Sequence, residues 1–425
     1  MAKNTDIKLR NQIVYQVFVR QHSKTGNFQG LIDDLDRINS LGVDIVYLLP
    51  FHKIGQKDRK GSKGSPYSIY DYYSIDPDYG TLDDFIKLKE EIHKRDMKLM
   101  IDIVFNHTSR DSILTQTHPE WFYRNPDGTF KNRVGDWSDI TDLDFNNRDV
   151  WEYLITVLKY WAQYVDGFRC DVAPLLPIDF WIEAREKVSV INPNLIWLTE
   201  SVELGFIKYL RDIGFDASTD SQMYEAFDVC YDYDIYSFMN GYLNHSNSLE
   251  RYLYEIWRQE AVYPKNYVKL RSFENHDQER LASKTKDENQ LIHMTALQFF
   301  LRGMPMIYAG QEHKISKRPD LFEIDPIQWN KENSIEPLIQ KLAQIKKDPL
   351  FINGIFEVVK SKDVAVLSYK NDKETMYGIF NLENINEIDL NIKDGSYLNL
   401  INDENIEVRN QKIKLNQNPI IFKVK

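Results

Sequence analysis

The chain reads as an α/β protein of the (β/α)8 TIM barrel class, with a small lobe inserted after the third strand and a β-sandwich at its C-terminal end. Three observations predict this. Over the first three quarters of the 425 residues, short apolar β-branched runs alternate with helical ones. The third run is followed by a stretch too long for a simple loop, and after about Asp348 the helical period gives way to strand-like alternation.

Eight strand-plus-helix units can be followed in order. "IVYQVFV" (Ile13 to Val19) precedes the amphipathic "FQGLIDDLDRINSLG", and "VDIVYLLP" (Val43 to Pro50) leads to "TLDDFIKLKEEIHKRD". "KLMIDIVFNH" (Lys98 to His107), "VDGFRCDV" and "LIWLTE" (Leu195 to Glu200) supply the third, fourth and fifth strands. A weaker "FDASTDSQMY" (215–224) is the expected sixth, with "YVKLRSFENHD" (Tyr267 to Asp277) seventh and "PMIYAGQE" (Pro305 to Glu312) eighth. Such units close into a parallel barrel whose polar strand ends share one mouth. An open doubly wound sheet is the alternative, but no Gly-x-Gly-x-x-Gly turn follows the first strand.

The barrel is expected over 1–107 and 146–348, the lobe over 108–145 and the sandwich over 349–425. The lobe segment is rich in aromatics and turn residues such as Asn125-Pro126-Asp127-Gly128. Trp121, Phe122, Tyr123 and Trp137 are expected to divide between the lobe's own core and added stacking surface. The tail reads as alternating segments, "IFEVVKSKDVAVLSYKN", "TMYGIFNL" and "IIFKVK".

A net charge of −11 and a pI near 5.4 disfavour nucleic-acid and anionic-membrane partners, which require a basic surface. The opening "MAKNTDIKLRNQ" is polar, and no apolar run reaches membrane-spanning length, so the expectation is a cytoplasmic protein. The two cysteines, Cys170 and Cys230, have no metal-ligand spacing and read as packed thiols.

In "VDGFRCDVAP" (Val165 to Pro174), Arg169 and Asp171 are two apart and share one face of a strand that ought to be buried. A structural ion pair is the plain reading. Around the same barrel mouth, however, fall Asp102, Asn106 and His107 from the third strand, Glu200 from the fifth, and His276 and Asp277 from the seventh. So many charges oppose folding unless they have a use. Glycoside hydrolysis needs one carboxylate as nucleophile and a second as acid then base. The competing use, a divalent metal, is opposed by Arg169, which would repel a cation and keep Asp171 ionised.

Together these segments resemble the α-amylase family, glycoside hydrolase family 13. "DIVFNH", "GFRCDVA", "WLTE" and "FENHD" are similar to its four signature regions in order, and "TDLDFNN" (Thr141 to Asn147) to an additional one. The resemblance implies Asp171 as nucleophile, Glu200 as acid/base and Asp277 as transition-state stabiliser. It implies that Arg169 holds Asp171 ionised, that His107 and His276 bind sugar hydroxyls, and that Tyr67 is the stacking platform. Asp102 and Asn106 are expected as structural supports. No cofactor is required on this reading, although Asn106 occupies a position that contributes to a Ca2+ site in some relatives. The expected partner is an α-glucan.

Three departures bear on the substrate. Pro174 and Leu175 stand where many starch-cleaving members carry a Lys-His pair, so the acceptor side differs. Gly64, three residues before Tyr67, replaces an aspartate that holds the chain end in exo-acting glucosidases, which disfavours a closed exo pocket. Val172 resembles members acting on α-1,6 links. The expected activity is a retaining α-glucan hydrolase acting on maltodextrins. A transglycosylase, an isomerase or an α-1,6-acting glucosidase are its rivals, and a catalytically silent binding or transporter-partner relative is a remoter one.

Overall fold

The computed structural model describes residues 2–134 and 137–425. Eight parallel strands close in sequence order: Val14–Val17, Ile45–Leu48, Lys98–Ile103, Gly167–Cys170, Ile196–Thr199, Val229–Tyr231, Lys269–Arg271 and Met304–Tyr308, the last returning to the first. Apart from Lys98, every strand position is buried, because one face packs the barrel interior and the other meets the helices. These strands therefore read as apolar runs rather than clean alternation.

The helices follow their local signals. Leu82–His93 opens on a capping box between Thr81 and Asp84 and buries Phe85, Leu88 and Ile92, the stripe expected at helical spacing. Arg148–Trp161 is capped by Asn147 and buries Val150, Trp151, Leu154, Ile155 and Leu158 against the barrel.

Two expected strands need correction. The sixth is Val229–Tyr231, not 215–224. Thr219 and Gln222 form a capping box that starts the helix Asp220–Met223, so the polar residues there serve a helix start, and buried Asp220 pairs with Lys269 of the seventh strand. The true strand, three residues long and wholly buried, is too short to show a period. The third strand ends at Ile103, and His107 instead opens a short strand, His107–Ser109, paired antiparallel with Ile140–Asp142 at the base of the lobe. Trp121 and Phe122 are buried within the lobe, whereas Trp137 lies beside the His107 ring, centroids 5.7 Å apart.

The C-terminal region pairs two four-stranded antiparallel sheets. Val366, Ile379, Val408, Ile413 and Phe422 fill the space between them. Alternate residues of the first sheet, Leu367, Tyr369 and Met376, face the other way onto the barrel core, where Tyr369 and Phe380 meet Phe300 edge-on. Among the described residues no helix is long and apolar enough to cross a membrane.

Candidate active site

Register brings the first contacts together. Arg169 on the fourth strand lies opposite Asp102 on the third, and its Nη1 donates to both Asp102 oxygens at 2.8 and 2.9 Å and to Asp171 Oδ1 at 2.9 Å. Its Nη2 forms an ion pair with Glu200 Oε1 at 2.6 Å. The guanidinium is wholly inaccessible and flanked by the Tyr67 and Tyr231 rings. One cation thus serves three buried carboxylates, and Tyr47 and Tyr67 each add a hydroxyl hydrogen bond to Asp102, at 2.6 and 3.0 Å.

A second chain of contacts joins the seventh strand end to the first. The Gln16 amide donates to His276 Nδ1 at 3.2 Å, which leaves the ring hydrogen on Nε2. Nε2 lies 2.6 Å from the Tyr67 hydroxyl and 3.1 Å from Asp277 Oδ2. The Tyr67 and His276 rings stack with centroids 5.4 Å apart. Arg318 donates to the Asp277 carbonyl, tying the loop after the eighth strand to this corner.

Immediately after Asp171 the backbone is strained. Val172 has φ 35° and ψ 40°, the left-handed region that a β-branched side chain rarely adopts. That turn aims the Val172 N–H at Glu200 Oε2, 2.8 Å away. Glu200 is therefore held at one oxygen by the arginine and at the other by the backbone.

These groups line a cavity of about 450 Å³. Its lining includes Tyr67, His107, Trp137, Asp171, Val172, Glu200 and Asp277 together with Lys60, Asp139, Leu321 and Phe322. Burial pushes both Asp171 and Glu200 above the ordinary carboxylate range. For Asp171 the neighbouring Glu200 adds to this, so Arg169 opposes the rise without reversing it. Three carboxylates share this one cation, which the sequence expects to hold Asp171 ionised. Asp277 is 45% exposed to the cleft. Its walls still desolvate it, but His276, and beyond it Arg169 and Arg318, bring it down to about 2. Burial lowers His107 to about 4, so its ring is neutral.

Asn106 points its amide at His107 Nδ1, 3.2 Å away. Asp142, paired in register with His107, has a buried Oδ1 with no hydrogen-bond partner, and burial raises it to about 6. Calcium takes about six to eight oxygen ligands. An amide and one carboxylate fall short of that, and among the described residues no three His, Cys, Asp or Glu form a metal-holding group. Among the described residues this donor set falls short of a calcium site.

All nine site residues named from the sequence meet around this mouth. The sequence reading missed Gln16, Tyr47, Lys60, Asp139, Leu321, Phe322 and Arg318. Gln16, a polar residue inside "IVYQVFV", was a visible signal, since an uncharged amide in a buried strand needs a partner. The others sit in loops, or on a strand of unremarkable pattern, and only closure of the barrel brings them near.

Comparison with known proteins agrees with this geometry. A family profile described as "Alpha amylase, catalytic domain" matches residues 12–351, and one described as "Bacterial Alpha amylase C-terminal domain" matches 356–422. The chain belongs to the α-amylase family, glycoside hydrolase family 13. Within the family it is similar to an α-amylase from Lactobacillus plantarum, at 43% identity and TM-score 0.96 over 99% of this chain and 100% of that one. It is also similar to a noncanonic maltogenic α-amylase, AmyB, from Thermotoga neapolitana, at 33% identity and TM-score 0.87 over 98% and 99%. An intracellular maltogenic amylase of Bacillus subtilis strain 168 is 26% identical over 85% of this chain and 62% of its own length. Across curated relatives of the family the chain spans from 50% to 91% of their length.

Proposed function

We propose that the chain is a retaining glycoside hydrolase that cleaves α-glucosidic bonds of maltodextrins through a covalent glycosyl-enzyme. One observation carries the reading: Asp171 and Glu200 hang from one buried guanidinium and line a single cavity with Tyr67, His107 and Asp277.

Asp171 attacks the anomeric carbon while Glu200 passes its proton to the departing glycosidic oxygen. Water then enters from the side the leaving sugar vacated. Its proton goes to Glu200 and its oxygen to the anomeric carbon, which releases Asp171 with net retention. The site must carry one proton between two carboxylates at neutral pH, and burial around a single arginine supports that state. The Val172 N–H and Arg169 hold Glu200 in place through both halves of the cycle. Asp277, ionised throughout, faces the positive charge that develops on the sugar. Tyr67, His107 and His276 take the hydroxyls, and the chemistry draws on no resident cofactor.

The names of similar proteins, maltogenic amylases and α-amylases, support maltodextrin as substrate. The relative named intracellular supports a cytoplasmic location. The test is a proton NMR time course of the pure protein with maltoheptaose. Early α-anomeric products with rising reducing ends are expected, and Asp171→Asn and Glu200→Gln each lower turnover by about three orders of magnitude or more. β-anomeric first products, or near-normal turnover in either variant, would overturn the assignment.

A further inference from the structure

On the assignment of Asp171 and Glu200 just made, on which this inference rests, the leaving sugar departs past Glu200 and Val172, over the fourth and fifth strand ends. The sugars that stay attached run the opposite way, past Tyr67 and His107, towards the non-reducing end of the glucan. A wall borders the same cavity.

Three loops build it. The loop after the second strand is bound to the loop after the eighth: Lys63 N and Gly64 N both donate to the Phe322 carbonyl, at 2.9 and 3.1 Å, and Ser62 N donates to Glu323 at 2.9 Å. Arg20 fastens both, donating to the carbonyls of Gly64 and Leu321. The same second-strand loop is bound to the lobe through Gln56 N and Lys57 N on Asp111, and through Arg110 with Asp58. Between this loop and the lobe, Lys60 Nζ reaches Asp139 Oδ1 at 3.3 Å and lies 5.8 Å from the Phe322 ring centroid. Asp139 is buried, and its carbonyl accepts from Ser68. Lys60, Asp139, Leu321 and Phe322 all line the same cavity as the carboxylates.

Gly64 lets the loop close. Its φ is +85°, and a Cβ there would meet the Arg59 side chain at 2.6 Å. The glycine that led the sequence reading to disfavour a closed pocket is part of the turn that closes it.

We propose that this wall, latched by the Lys60–Asp139 ion pair, stops the glucan a short distance beyond the scissile bond, so that the enzyme releases short units from non-reducing chain ends. The ion pair is the specificity element because, of the contacts between loop and lobe named above, it is the one whose two residues both line the cavity.

The experiment compares p-nitrophenyl maltoheptaoside with the same glycoside carrying a 4,6-O-ethylidene block on its non-reducing glucose. The wild-type protein is expected to cleave the blocked compound at about a tenth of the unblocked rate or less, with short sugars as first products. Lys60→Ala opens the latch and raises the blocked-to-unblocked ratio about tenfold or more. Asp139→Asn keeps the side-chain shape but removes the charge, and raises the ratio in the same direction should Lys60→Ala fail to fold. Equal wild-type rates on both compounds would overturn the wall while leaving hydrolysis intact. A ratio unchanged in both folded variants would overturn the latch, and no cleavage of either compound would overturn this inference and the hydrolase assignment together.

Discussion

Replacing Arg169 with Met isolates the electrostatic core of the site. The guanidinium is wholly buried and contacts Asp102, Asp171 and Glu200 at 2.6–2.9 Å. Met is of similar length and leaves little cavity, so the loss is mainly that of the charge. Removing one partner of a buried ion pair costs about 3–5 kcal/mol. Unfolding entropy near 2.1 cal/mol/K per residue amounts to about 0.9 kcal/mol/K for a chain of this size, so the unfolding midpoint at pH 7 should fall by about 3–6 °C. The sign of the pH dependence follows from linkage. Burial already raises Asp171 and Glu200, and without Arg169 they rise further, so the folded variant takes up protons that the unfolded chain does not hold. Its deficit therefore shrinks as pH falls from 7 towards the carboxylate range. The assay is thermal unfolding by circular dichroism for both proteins across that range. A midpoint unchanged at pH 7, or a deficit that is constant or grows as pH falls, would refute the argument.

Other outcomes follow from the same geometry. In the acid limb of kcat/KM, the apparent midpoint should lie above the ordinary aspartate value of 3.8, because burial raises both Asp171 and Glu200; a limb at or below 3.8 would contradict that. Asp277, held at about 2, contributes nothing to this limb, which distinguishes it from the pair. Val172→Gly keeps the N–H to Glu200 and releases strain of about 1–3 kcal/mol, offsetting the lost side chain and the added chain entropy. Its unfolding midpoint should stay within about 2 °C of wild type by the entropy scale used above, and a larger fall in differential scanning calorimetry would count against strain there. Dialysis against EDTA should leave both turnover and the unfolding midpoint unchanged, and a loss restored by added calcium would reverse the conclusion drawn from Asn106 and Asp142.

Much of the site was legible before folding because charges in apolar runs are conspicuous. Arg169 and Asp171 inside "GFRCDV", Asp102 inside "KLMIDIV" and Glu200 at the end of "LIWLTE" all interrupt segments that would otherwise be uniformly hydrophobic. Parity then places Arg169 and Asp171 on one face, and the eight repeated units place the strand ends at one mouth. The sixth strand escaped because three buried residues carry no period, while nearby polar residues imitate alternation.

Sequence alone determined the barrel, the lobe's position, the C-terminal sheets and the identity of the charged groups, since each rests on local period or on a charge where none is expected. Tertiary structure alone decided how those charges are shared. Nothing in the order of residues says that one guanidinium serves three carboxylates, that Val172 turns left-handed to reach Glu200, or that Lys60 meets Asp139 across 79 positions of chain. Such contacts join loops with no pattern of their own, and their geometry exists only once the closed barrel sets the distances between strand ends.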